Sequence, residues 1–471
     1  MGTVTEVPVF TTRLILAAAA ASMVACQEIE PELDFDVDVA VNEAVSTIIE
    51  ISWTTNQPGV SWVEFGLNGD LDMVTPMTTK ASTEHSFQLV GVGAELELDY
   101  RAITETDSGQ MVSEGSATTG VLPQGLPNFR VETHDEDQAS SDRWMLTGYE
   151  TPDSSWLVAV DRGGEVVWYE QVPENASPFS IELNQNEPGI IYNARQGKDD
   201  GTDSFLVSTS LLEGTADQVV LPYGHHAMTQ LEDGNVAWIG ADIRRWRDPS
   251  TDQLMDVQGD TVNILTADGH SIEVFNAWDW NQPRDSEWFH SEYFAGAKDW
   301  THANALSMNA ERGTMLVSLR NLGVLIEIDV ANGAVMRTMG GGAPDAFTAD
   351  STPFRYQHDP NWTPAGTILM VSSDEPQDGG QIETVAREYQ VVPGTTTLEE
   401  VWSYGEGMGV HATHHGGARM LDNGNRLVNF GAAGEVHEAT PEGETAWSVA
   451  SIPTVALGGA VLVDDLYDLT R

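Results

Sequence analysis

The sequence predicts an all-β protein, in which a β-sandwich precedes a six-bladed β-propeller. Two observations carry that expectation. Residues 37–122 alternate in short apolar strands, with turn residues roughly every 8–12 positions, the spacing of a sandwich. From residue 123 a different unit recurs six times, a turn with glycine leading into an apolar or aromatic strand. Its glycines are Gly164, Gly214, Gly269, Gly333, Gly394 and Gly443, with gaps of 50, 55, 64, 61 and 49 residues. One four-stranded blade needs about 40–50 residues plus loops, so six recurrences predict six blades.

The elements follow in order. Residues 13–26 read RLILAAAAASMVAC, one arginine, an apolar run and small residues before a cysteine. That pattern predicts an export signal over residues 1–26, too short to be an ordinary membrane span. Its ending, MVAC, resembles a bacterial lipobox, which makes Cys26 the expected lipidation site. Residues 27–36 are acidic and hold a proline, as a solvated tether does. In residues 37–122, Trp53, Trp62 and the Tyr100 of LELDYRAIT resemble a fibronectin type III module with its tyrosine corner. PQGLPN (123–128) marks the boundary, and the propeller is expected over 123–471.

Composition limits the partners. The chain of 471 residues has 73 acids against 21 bases, a formal charge of −52. Such a surface repels nucleic acid and anionic lipid, so a lipid anchor is the only membrane link expected. An anionic ligand needs a site that concentrates positive charge locally. With a single cysteine, no intrachain disulfide is possible. Oligomeric state is left open.

Six of the 12 histidines open hairpins in the second half: His225, His226, His302, His358, His414 and His415. A turn follows each at a similar distance: LEDGN at 231–235, NAERG at 309–313, TPAGT at 363–367 and LDNGN at 421–425. Equal offsets put these residues at one rim of their blades, around the mouth of the central channel. Residues equidistant from a turn face one another in antiparallel pairing, so His302 should oppose Arg320 about Glu311. His302 and Asn304 differ by two and point to one side of their strand. Of the others, His85, His134, His270, His290 and His437 read as ordinary surface or capping residues. Trp300, Tyr356 and Trp362 lie near the cluster, either to sandwich an aromatic ring or to pack blades. RRWRD (244–248) reads as a surface loop or a site for a second anionic group.

From residue 126 onward the chain resembles the bacterial aryl-sulfate sulfotransferases. The resemblance rests on HHAMTQLEDGN, DWTHANAL with MLVSLRN, RYQHDPNW, ETVAREYQV (383–391), GGARMLDNGNRLV and the closing VLVDDLY. It implies a six-bladed propeller in an exported protein. It also implies transfer of a sulfuryl group between phenols by a ping-pong route through sulfohistidine, with no nucleotide donor and no cofactor. Carried across, the nucleophile is His358. His302, Asn304 and Arg320 hold the sulfate oxygens and assist the leaving phenolate. His226 completes the pocket, with His225 as the other candidate; His414 and His415 are extra imidazoles outside the family pattern, and His415 is expected to meet substrate. Arg419 departs from the family pattern, which has an amide there.

The residues suit that chemistry on their own. A loose transition state spreads charge over three oxygens and needs fixed donors around them. Arg320 offers a planar, permanently charged fork. A neutral imidazole is a nucleophile near pH 7 without activation. Two other readings remain at this level: a His-ligated metal enzyme, and a binding-only propeller for sulfated or anionic ligands. Against the metal, Arg320 would repel a cation.

Overall fold

The computed structural model describes residues 35–151, 154–172, 176–196, 203–212, 214–283, 292–341, 346–350, 352–374 and 381–470. Cys26, the export signal, most of the acidic tether and His290 lie outside them.

One 19-residue strand, Ile49–Leu67, organises the sandwich. Its first part pairs with Val37–Val41 and Ser82–Leu89. Its second part pairs with Met73–Val74 and with Glu97–Thr106, which continues into Gly109–Thr118. The strand changes sheets near Gly59, where the register shifts. A Cβ at Gly59 would sit 2.5 Å from the Glu105 carbonyl oxygen, so the crossing needs glycine. Alternation then decides the core: Trp53, Val63 and Phe65 point in. Trp62 is out of phase with them and only half-buried, so it does not share the core with Trp53. Tyr100 is buried against Gly115, yet its hydroxyl bonds to none of the described residues, unlike the hydroxyl of a tyrosine corner.

From residue 128 the described strands form six sheets, each built on four antiparallel strands; three of them carry a fifth strand, paired parallel in the third and fifth sheets. The six glycines of the sequence repeat fall one in each, at the turn leading to the fourth strand counted from the inner one. Inner strands of successive sheets touch, from Ala456–Val463 through Ala176–Leu183, His225–Gln230, Ala303–Asn309 and His358–Trp362 to Gly417–Met420. The two ends of this region interlock. Asn128–His134 adds an outer strand to the last sheet, while Ala456–Val463 is the inner strand of the first.

A buried carboxylate ties the closure. Glu438, 0% exposed, accepts from the Ser140 amide at 2.6 Å, Asn425 Nδ2 at 2.7 Å and Arg162 at 2.9 Å. It joins the sixth sheet to the first. Glu438→Gln should lower unfolding stability by about 2 kcal/mol, measured as a shift in denaturant midpoint, because charge-assisted bonds become neutral ones.

The sandwich packs on the first sheet through a common apolar cluster that includes Val90, Val92, Trp144, Trp168 and Tyr467. Thr47 Oγ1 donates to the Val167 carbonyl at 2.8 Å, and Tyr467 Oη to the Gln88 carbonyl at 2.9 Å.

Candidate active site

Four inner strands begin at one place with an unusual backbone. His226, His302, Asp359 and His415 have φ of 53°, 48°, 50° and 59°. In the third, fourth and fifth sheets the pairing register shifts within the first residues of the strand. Each left-handed non-glycine residue is strained by about 1–3 kcal/mol and persists only where its surroundings fix it. The kink turns side chains that would alternate along a strand toward the channel. A cavity of about 80 Å³ results, lined in part by His226, Asn304, His358, Asp359, His415 and Arg419.

His358 opens its strand opposite Val371. Its ring makes no hydrogen bond to the described residues, which leaves both nitrogens to the cavity. Burial holds its pKa well below the ordinary value, and the charges of Arg320, His415, His302 and His414 push the same way. The ring is therefore neutral at neutral pH and carries a lone pair. His415 is lowered to about 3 by burial and by His414, whose ring centroid lies 4.9 Å away.

Arg320 stands at the end of the partner strand. Its amide donates to the His302 carbonyl at 3.1 Å, so the two residues face each other across the hairpin. Its guanidinium lies 4.9 Å from the Tyr356 ring centroid and donates to Asn321 at 3.2 Å. Arg320 borders a neighbouring cavity and not the one lined by His358. Asn304 Nδ2 donates to the Gln357 carbonyl at 2.8 Å, pinning the residue before His358, while its Oδ1 is buried without a hydrogen bond to the described residues.

Behind the cavity lie two carboxylates that no repeat or motif singles out. Asp299 accepts from His302 Nδ1. Asp260 takes hydrogen bonds from Thr301 at 2.7 Å, Gln258 at 2.9 Å and the Ala303 amide. Burial opposes its ionisation, but contacts with His225, Ala303 and Gln258 outweigh it and keep the carboxyl below its usual range. His225 Nε2 approaches Asp260 at 3.3 Å, short of hydrogen-bond alignment. On its other side His225 Nδ1 lies 2.8 Å from His226 Nδ1.

His226 shares one hydrogen bond with His225, one Nδ1 donating and the other accepting. Its ring packs edge-on against His302 at 4.7 Å, and Tyr293 lies over both, 4.8 Å from His226 and 5.8 Å from His302. The position of Asp299, three residues before His302, was the only trace of this layer in the sequence.

Several expectations need correction. His225 is 1% exposed and touches His226, so it orients a cavity residue and does not itself meet a ligand. Trp300 is 0% exposed within the core cluster of the third and fourth sheets. Trp362 lies at the turn end of its strand, 5.7 Å from Arg312, away from the histidines. The arginines of RRWRD pair with Asp242, Asp256 and Asp252 along an exposed hairpin. Arg419, the departure from the family pattern, pairs with Asp359 at 2.6 Å inside the cavity wall. A Cβ at Gly417 would sit 2.2 Å from that carboxylate, so glycine makes its room.

His358 and His415 also shape the response to acid. Both have folded pKa values below the ordinary 6.5, so the unfolded chain binds more protons as pH falls. Stability should therefore decline from about pH 6.5 downward, toward about pH 3 for His415. Thermal midpoints across that window should fall less steeply in His415→Gln.

Among solved structures the chain is similar to a streptogramin B lyase (12% identity, 68% of this chain and 87% of that one, TM-score 0.34). It is also similar to the β-propeller domain of Myceliophteria thermophila Cps50 (10%, 72% and 87%, TM-score 0.37). A third is an auxiliary nutrient binding protein from Bacteroides ovatus (10%, 89% and 87%, TM-score 0.34). These likenesses are too slight to bear on chemistry. No curated protein matches the chain. The model of the arylsulfotransferase (ASST) family matches residues 130–454, well over half of the sequence. The chain belongs to the arylsulfotransferase family.

Proposed function

We propose that this protein moves a sulfuryl group from an aryl sulfate to a phenolic acceptor through a sulfohistidine at His358, with no nucleotide donor. The observation that carries the reading is the neutral, hydrogen-bond-free ring of His358 in the field of Arg320, His302 and His415. In the first step a lone pair of His358 attacks sulfur, and the bond from sulfur to the aryl oxygen breaks. The phenolate leaves with that electron pair and takes a proton from His302, which Asp299 holds in place. Arg320 faces the charge on the sulfuryl oxygens. In the second step the acceptor phenol gives its proton back to His302, left neutral by the first step, as its oxygen attacks sulfur. The bond from sulfur to nitrogen breaks, and His358 recovers its lone pair.

The wider reading follows the same support. The six meanders and their interlocked ends are the reason to read residues 123–471 as a six-bladed propeller. The sheet change within Ile49–Leu67 supports a fibronectin type III-like sandwich over 37–122. RLILAAAAASMVAC supports export and a lipid anchor at Cys26, placing the chain in the periplasm or at the outer membrane.

The test is intact-mass analysis after exposure to donor alone. The expected product carries one added SO3 group, mapped by fragmentation to His358. Release of phenolate without any adduct would exclude the two-step route and leave direct transfer.

A further inference from the structure

Fourteen arginine side chains are described, and twelve of them lie within 4.0 Å of a carboxylate. In a chain with 73 acids that pairing is expected. The two exceptions, Arg320 and Arg355, border the same cavity. It measures about 320 Å³ and is lined among others by Pro353, Phe354 and Tyr356. It adjoins the histidine cluster through Arg320, whose charge acts on His358.

We propose that this cavity is an anion subsite in which Arg355 binds a second negative group, a carboxylate or second sulfate, on the aryl substrate. The identity of the substrate class rests on the sulfotransfer reading; the subsite itself does not. Two unpaired cations around one cavity repel each other, and a bound anion removes that repulsion. Arg355 is placed to act so. Its carbonyl accepts from the Ser373 amide at 3.0 Å, which fixes the backbone while the side chain stays exposed. A guanidinium meets carboxylate or sulfate through a fork of N–H donors. Tyr356, already stacked with Arg320, supplies an aromatic wall to the same cavity. Here the acidic surface becomes selective. An anionic ligand repelled elsewhere on the molecule meets here two arginines with no described carboxylate within 4.0 Å.

The probes are 4-hydroxybenzoate and its neutral counterpart 4-hydroxybenzamide. Calorimetric titration gives the ratio of their Kd values, and competition for a chromogenic aryl sulfate gives the ratio of kcat/KM. The wild-type protein should favour the carboxylate about tenfold, the scale of one charge-assisted contact. In Arg355→Gln that preference should vanish, and in Arg355→Lys it should partly return. Added salt should weaken it in the wild type. Equal ratios in wild type and Arg355→Gln would overturn the subsite, whatever the turnover. A shifted binding ratio in a protein that transfers no sulfuryl group would keep the subsite and remove the proposed reaction.

Discussion

His358→Ala abolishes release of phenolate from a chromogenic aryl sulfate, by about 10⁴–10⁶-fold, as loss of a covalent nucleophile does. The other groups cannot substitute. His302 Nδ1 is engaged by Asp299, and His226 Nδ1 lies on His225. His415 takes part in an imidazole pair with His414. The substitution removes no hydrogen bond to the described residues, so the fold should survive it. Its effect on acid stability has the opposite sign to an ordinary core truncation. With His358 gone, the unfolded chain loses one site of excess proton uptake, and stability falls less as pH drops below 6.5. Imidazole in solution should restore part of the phenolate release by occupying the vacated volume, but it should leave no adduct on the protein. Unchanged turnover in the variant would remove His358 from the reaction, and the mass adduct would then have to map elsewhere.

What the sequence made legible was what strand geometry dictates. His302 and Arg320 could be paired because both lie nine residues from Glu311, and the Arg320 amide does donate to the His302 carbonyl. The repeated glycines marked the sheets because each occupies a turn that recurs once per meander. What stayed hidden depends on local backbone and on distant chain. The choice between His225 and His226 turns on a φ of 53°, which no periodicity reports. Asp260 comes from another strand, 43 positions before the Ala303 amide that it accepts. Trp300 and Trp362 sit beside the motif residues in sequence, but one points into the core and the other lies at the opposite end of its strand. The strand Ile49–Leu67 is continuous because glycine at position 59 lets it cross between sheets without a turn.

Arg320→Ala should lower kcat/KM for the aryl sulfate by about 10²–10³, or roughly 3–4 kcal/mol in the barrier, the scale of losing one fixed oxyanion donor. Its second effect separates this role from simple packing. Arg320 is the largest charge among those that depress His358, after burial itself. Removing it raises the His358 pKa toward 6.5, so the acid limb of the rate profile should move to higher pH. The two consequences oppose each other at the nucleophile. A less depressed imidazole is the better base, yet it is more often protonated near neutrality. The net loss at high pH, where His358 is neutral in both proteins, therefore isolates the missing contact with the sulfuryl oxygens. Arg320→Lys tests the geometry. A lysine restores the charge and returns the acid limb, but a compact ammonium lacks the planar fork and the stacking on Tyr356. It should recover the pH profile more fully than the rate. A lysine variant with wild-type kcat/KM would reduce Arg320 to a point charge, and an alanine variant with an unmoved acid limb would separate Arg320 from His358 altogether.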